Sequence, residues 1–415
     1  MKQIILAISL LLLVACKEQD TVPKPVSIQE DIAILASDDF EGRKTGTEGE
    51  QKAAHYLKER FQSIGLKPMG EAGTYFQTFS FKASSDPHQE AQFSSSTDNP
   101  EFSTGTNVIG YLDHKATHTI VIGAHYDHLG LGGEGSLHRE GAAIHNGADD
   151  NASGTAIMLQ LAATLNTAQF AGNNYLFIAF SGEELGLLGS NYFTKNPTVP
   201  IDQINYMINM DMVGRLNAEK TIAVHGVGTS PIWKQTIFSA NSDFILSEHE
   251  SGVGPSDHTS FYLQDIPVLH FFTGQHEDYH KPGDDIEKLN YEGMDAIQEY
   301  ITNIVLELND NGKLKFTKTK NESEAVPRFK VTLGVVPDYL YAGEGMRIDG
   351  VSDDRPAQKA GLEKGDIITQ LGDSTVTDIM SYMRVLSTFD EGDNTTVNVN
   401  RAGNTVKATI TFDKN

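Results

Sequence analysis

Thr119-Ile120-Val121-Ile122-Gly123-Ala124-His125-Tyr126-Asp127 is an apolar run that ends in an imidazole and a carboxylate. Tyr175-Leu176-Phe177-Ile178-Ala179-Phe180 is a second such run, and Ser181-Gly182-Glu183-Glu184 follows it directly. A third, Tyr206-Met207-Ile208-Asn209-Met210, stops at Asp211. Continuous apolar runs of this length read as strands covered on both faces. The pattern predicts strands over 119–123, 175–180, 206–210 and 267–272, with helices over 152–165 and 293–308. Met294, Ile297, Ile301, Ile304 and Leu308 share one side of the last helix. Ahead of these, 28–35 and 48–64 carry helical patterns, and Gly65 ends the second. Strands alternating with helices imply an α/β fold: a three-layer α/β/α domain around a mixed sheet. Ligands of such sheets bind beyond the carboxyl ends of the strands, and the polar residues above fall there.

Those residues have the chemistry of metal ligands. His125, Asp149, Glu184, Asp211 and His280 are two imidazoles and three carboxylates, with no thiolate among them. Nitrogen and oxygen donors suit a catalytic rather than a structural zinc site. Five donors exceed what one open site needs; they fit two metals that share a carboxylate. Asp149-Asp150-Asn151 sets two acids side by side at a helix start, where they repel unless a cation is near. Asn151 can cap the helix, which leaves Asp149 as the candidate bridge. Glu183 stands next to Glu184 and is free to act as general base on water between the metals. Asp127 is placed to accept a hydrogen bond from the second ring nitrogen of His125. Asp284 either orients His280 or caps the next segment. Asp257 and His258 are candidates for substrate contact, whereas His128, His138 and His145 read as loop residues.

The order H-x-D, D-D-N-A-S-G, E-E-x-G, D-M and Y-H-x-P-x-D resembles the M28 family of zinc exopeptidases, over about residues 28–310. Leu35-Ala36-Ser37-Asp38, Gly42-Arg43 and Gly46-Thr47 resemble the start of its secreted bacterial members. The resemblance implies two zinc ions per chain, with Asp149 bridging, Glu183 as base and a cis peptide bond at Asp149-Asp150. It leaves open how Glu184 and Asp211 divide between the metals. Most secreted relatives are aminopeptidases, so removal of N-terminal residues from peptides is the expected reaction. Carboxypeptidases and glutaminyl cyclases share the fold, and a catalytically dead binding lipoprotein is the reading from another class.

From 311 to 325 the composition turns polar and predicts a linker. Beyond it, 329–335, 346–351, 367–371 and 395–400 read as short strands and 356–362 as a short helix with a glycine end. Residues 326–415 resemble a PDZ domain of the bacterial protease type, through Gly350-Val351, Pro356-Ala357 and Ala360-Gly361-Leu362-Glu363-Lys364-Gly365-Asp366-Ile367-Ile368. Leu333-Gly334-Val335 resembles its carboxylate-binding loop, which implies capture of peptide C-termini. Thr332 stands where an aromatic residue is expected.

The N-terminus reads as a lipoprotein signal over 1–15: Lys2, an apolar run, then Leu13-Val14-Ala15-Cys16. It predicts lipidation at Cys16, a tether over 16–27, and a cell-envelope location on the outer membrane, because Lys17 rather than Asp follows Cys16. Cys16 is the only cysteine of the 415 residues, so a disulfide within the chain and a cysteine nucleophile are both excluded. A net charge of -24 argues against nucleic acid as a partner. The hydrophobic share of 39% and the charged share of 21% are those of an ordinary globular chain.

Overall fold

The computed structural model describes residues 26–82, 92–94, 102–133, 135–320, 330–341, 343–352 and 354–412. Cys16, the signal segment and most of the expected tether lie outside the described residues. No helix among them is long and apolar enough to cross a membrane.

Ten strands form the larger sheet. They are β1 (Lys67–Pro68), β2 (Phe76–Lys82), β3 (Gln92–Ser94), β4 (Ser103–Leu112), β5 (Thr119–His125), β6 (Asn174–Phe180), β7 (Ile204–Met210), β8 (Thr221–His225), β9 (Ile245–His249) and β10 (Val268–Phe272). Their order is β3-β2-β4-β6-β5-β7-β10-β8-β9, with β1 beside β4. The four central strands β6, β5, β7 and β10 run parallel, while β2, β3 and β4 add an antiparallel flank. The sheet is therefore mixed, as expected. Every residue of β5, β6 and β7 is buried. Alternate side chains feed two cores. Ile120, Ile122, Phe177 and Ile208 join one, and Val121, Leu176, Ile178 and Met207 the other. Each such side chain contributes about 1.5–3 kcal/mol on burial.

Helices cover both faces. On one lie α1 (Ile28–Leu35), α2 (Glu48–Ile64), α3 (Gly154–Leu165) and α7 (Tyr291–Glu307), with α5 (Trp233–Ser239) against α7. On the other lie α4 (Leu188–Lys195) and α6 (His258–Tyr262). In α2, Ala53, Ala54, Leu57 and Phe61 make the buried stripe. Gly65 stops this helix with φ +91°, a left-handed conformation that glycine adopts freely.

The structure departs from the sequence reading in this domain. β4 was not foreseen, because Thr104, Gly105, Thr106 and Asn107 break its apolar pattern. Asn107 is nevertheless buried, with its amide donating to Gln77 Oε1 (3.1 Å) and Gly189 O (2.9 Å). Within the polar stretch 83–101, Gln92–Ser94 pairs with β2. The supposed linker is in part a strap bound to the first domain. Leu314 N–H donates to Asn205 Oδ1 (2.7 Å), Thr317 N–H to Thr229 O (2.8 Å) and Thr319 N–H to the Tyr262 hydroxyl (3.0 Å).

The second domain is all-antiparallel in its sheet, with strands β11 (Val335–Pro337), β12 (Met346–Val351), β13 (Ile367–Leu371), β14 (Ser374–Thr375), β15 (Asn394–Arg401) and β16 (Asn404–Thr411). Helices α8 (Pro356–Lys359) and α9 (Ile379–Leu386) complete it around a core of its own. The strand expected over 329–335 is shorter and later. Gly334 has φ +77°, and Leu333 O accepts from Ala357 N–H (2.8 Å) instead of a neighbouring strand.

One buried cation ties the loops beneath the sheet ends. Arg43 is fully buried, and its guanidinium donates to the carbonyls of Tyr126 (2.7 Å), Leu35 (2.5 Å), Asn146 (2.7 Å) and Gly147 (3.0 Å). Burial lowers its pKa to about 10 despite the acids nearby. Replacing it leaves several buried acceptors unpaired, at about 1–3 kcal/mol each. Arg43→Met should therefore lower the unfolding free energy by at least about 3 kcal/mol in urea titrations; a loss under about 1 kcal/mol would show that the clamp does not hold these loops.

Candidate metal centre

Sheet order brings the first three side chains together. β5 lies between β6 and β7, so His125 at its end stands beside Glu183 and Glu184 after β6 and Asp211 after β7. His280 arrives from the loop after β10, with φ +54°. Asp150 comes from the irregular turn Ala148–Ser153 that precedes α3.

The cluster has two halves. In one, His125 Nε2 lies 3.2 Å from Asp211 Oδ1 and 3.4 Å from Asp150 Oδ1. In the other, His280 Nε2 lies 3.2 Å from Glu184 Oε2 and 3.3 Å from Asp150 Oδ2. The two oxygens of Asp150 thus face opposite halves. Glu183 Oε2 stands 4.0 Å from His125 Nε2, at the edge of the first half.

Asp149, expected as the shared carboxylate, is turned away from the cluster. Its Oδ1 accepts from Gly214 N–H (2.6 Å), and its Oδ2 lies 3.1 Å from His276 Nε2. The backbone explains the exchange of roles. The amides of Asp149 and Asp150 both donate to Asp284, at 3.0–3.1 Å, which directs the Asp149 side chain to the opposite side. Asp284 therefore secures this turn and does not orient His280. The cis peptide bond lies at Asp150-Asn151, one residue beyond the expected place. Ser153, not Asn151, occupies the N-cap of α3; Asn151 lies in the preceding turn, where its Oδ1 accepts from Gly154 N–H (3.0 Å) and its amide donates to Met210 O (3.0 Å) at the end of β7.

Asp127 acts on two neighbours. Its backbone oxygen is the partner of His125 Nδ1 (3.2 Å), with the carboxylate farther off at 3.7 Å. That carboxylate accepts from Glu183 N–H (3.1 Å) and from the Thr45 hydroxyl (2.9 Å). The carboxylate thus holds Glu183 more closely than it holds the imidazole.

Electrostatics divide the acids. Burial, with Asp211 and Glu184 close by, pushes the Glu183 carboxyl well above its ordinary range, against the pull of His125. Glu184 is just as buried and also faces Asp150, yet His280 and His128 hold it down at about 2. Burial raises Asp211 as well. Among the described residues, the ion pairs of Asp150, Glu183, Glu184 and Asp211 are with histidines alone. Four clustered carboxylates, one buried and three nearly so, without lysine or arginine ion pairs among the described residues suit divalent cations. The donor atoms of His125, Glu183 and Asp211 lie within 4.8 Å of one another, and so do those of His128, Asp150 and Glu184.

Sequence reading missed two histidines. His128 Nδ1 lies 2.7 Å from Glu184 Oε1, inside the cluster rather than on a loop apart from it. His276 supports Asp149, as given above. The spacing His125-x-x-His128 was the available signal for the first. His145 meets the Ser136 hydroxyl (2.8 Å) and stays outside the cluster. The two candidate substrate residues are interior. His258 stacks on His270 with centroids 4.5 Å apart, and burial drives its pKa well down. Asp257, also fully buried, is raised to about 7 by that burial.

At the second domain, Leu333 is buried and Gly334 N–H donates to the Thr332 hydroxyl (3.1 Å). Threonine in place of an aromatic residue therefore engages one of the amides expected to receive a carboxylate. β11, which follows, lies at the end of its sheet.

Residues 107–305 match the model of Peptidase family M28, and 312–412 match that of the PDZ domain. Aminopeptidase YwaD of Bacillus subtilis is 27% identical over 243 residues, 55% of this chain and 50% of its own length. The chain spans about half the length of the curated relatives it matches first. A zinc aminopeptidase structure from Bacillus subtilis superposes with TM-score 0.52 at 17% identity, over 71% of this chain and 97% of that one. A glutaminyl cyclase from Bacteroides thetaiotaomicron, bound to N-acetylhistamine, superposes with TM-score 0.54 at 18% identity, over 68% and 96%. Similarity at this level shows a shared fold. With candidate ligands at the strand ends, a mixed central sheet and both models matched in order, this chain carries a Peptidase family M28 domain followed by a PDZ domain.

Proposed function

We propose that this chain is a two-zinc aminopeptidase that removes N-terminal residues from peptides. The observation that carries the proposal is Asp150, whose two oxygens serve opposite halves of one ligand cluster. His125, Asp150 and Asp211 would hold one ion, and Asp150, Glu184 and His280 the other. The donor chemistry, imidazole and carboxylate only, fits zinc in a catalytic role. Bound zinc supplies Lewis-acid chemistry, polarising a carbonyl and acidifying water.

The chain's own residues supply the rest. Glu183 Oε2 receives the proton of the attacking water and passes it to the leaving amine. Asp127 positions Glu183 through the backbone amide and His125 through its carbonyl. Relatives named as aminopeptidases favour the N-terminal end of the substrate over the C-terminal one. Glu183 and a full ligand set disfavour both a cyclase and a catalytically dead binding protein. Capture of peptide C-termini by Leu333-Gly334-Val335, and lipid anchoring at Cys16 in the cell envelope, remain part of the proposal on sequence grounds.

Fluorogenic aminoacyl substrates test it. Turnover should vanish with EDTA and return with zinc. Glu183→Gln should lower kcat by at least about 100-fold with bound metal retained; near-normal turnover would remove Glu183 from the reaction. Asp150→Asn should cut bound metal below about one ion per chain, while Asp149→Asn keeps about two. The reverse pattern would restore the bridge to Asp149.

A further inference from the structure

The PDZ domain touches the peptidase domain beside the ligand cluster. β10 ends at Phe272, and the strand ends there are joined: Asp211 N–H donates to Phe271 O (3.2 Å), and Thr273 N–H to Met212 O (2.9 Å). From Thr273 the chain continues to His276, the partner of Asp149, and then to Tyr279 and His280, whose rings stack with centroids 3.8 Å apart. Two PDZ residues rest on this segment. The Tyr339 ring meets the Phe272 ring edge-on, with centroids 6.3 Å apart. Leu340 covers Gly274, where a Cβ would stand 2.9 Å from Leu340 Cδ1.

The corner that carries them is preorganised. Asp338 accepts from Leu340 N–H (2.9 Å) and from Arg347 Nε (2.7 Å), and the Arg347 guanidinium lies over the Tyr341 ring at 4.7 Å. Asp338 N–H donates to Arg347 O (2.8 Å). The strap through Leu314, Thr317 and Thr319 is itself hydrogen-bonded to the peptidase domain.

We infer that Tyr339 and Leu340 form part of the catalytic cleft's wall, so that the PDZ domain selects peptides with apolar side chains at their N-terminal end. For its substrate class the inference rests on the aminopeptidase reading. An aromatic and an aliphatic side chain over Phe272 offer dispersion and burial to an apolar group, whereas a charged one loses hydration there.

The test uses the full zinc-loaded chain and two dipeptide amides, Leu-Phe and Ala-Ala. In a Tyr339→Ala/Leu340→Ala variant, kcat/KM for Leu-Phe relative to Ala-Ala should fall at least about 5-fold, through KM and not kcat. Tyr339→Phe should keep the wild-type ratio, since the ring and not the hydroxyl makes the contact. An unchanged ratio in the double variant overturns the inference. Hydrogen exchange at the 272–276 amides gives a reading independent of turnover: faster exchange in the double variant supports the contact, and unchanged exchange overturns it. If the Ile368 and Val397 amides of the PDZ core also exchange faster, Tyr339→Ala alone carries the comparison. Failure of the wild type to release any N-terminal residue sinks the aminopeptidase reading by itself, and the exchange result then decides this one.

Discussion

Four carboxylates, one buried and three nearly so, crowd around three imidazoles in an arrangement that a protein interior opposes. Asp150, Glu183, Glu184 and Asp211 each lose hydration, and each faces at least one other acid. Protonation or a cation relieves such repulsion. Histidines at 3.2–3.4 Å neutralise part of it and are themselves good ligands for divalent metal. The rest of the peptidase domain answers to this constraint. Strands must end at one place, and loops must not relax away from it.

The scaffold meets each demand with backbone contacts. Parallel neighbours β6, β5 and β7 deliver their ends side by side. Asn151 joins the Asp150 turn to β7, Asp284 collects two amides of that turn, and Arg43 gathers four carbonyls from the loops around it. Such contacts keep ligand positions fixed before any ligand arrives. The differing proton affinities of Glu183 and Glu184 follow from placement alone: two adjacent glutamates, one against His280 and His128, the other not.

Much of this was legible in sequence because strand ends are legible. His125, Glu184 and Asp211 stand at or shortly after the ends of largely apolar runs, and the fold class sends such positions to one edge. Asp149 and Asp150 could not be told apart, since the choice depends on which way an irregular turn points its side chains. Asp284, 134 and 135 residues away, makes that choice through backbone amides. β4 escaped notice because its buried polar residues are satisfied by partners that no periodicity reveals. A polar composition at 311–325 concealed a segment hydrogen-bonded along the peptidase surface. Composition reports solubility, not attachment.

In the proposed two-zinc site, Asp150 joins the two metal positions. Anomalous diffraction at the zinc edge from crystals of the zinc-loaded protein addresses it directly. Two peaks are expected, one beside His125 and Asp211, the other beside Glu184 and His280, with Asp150 in contact with both. A single peak, or a peak between Asp149 and His276, would contradict it.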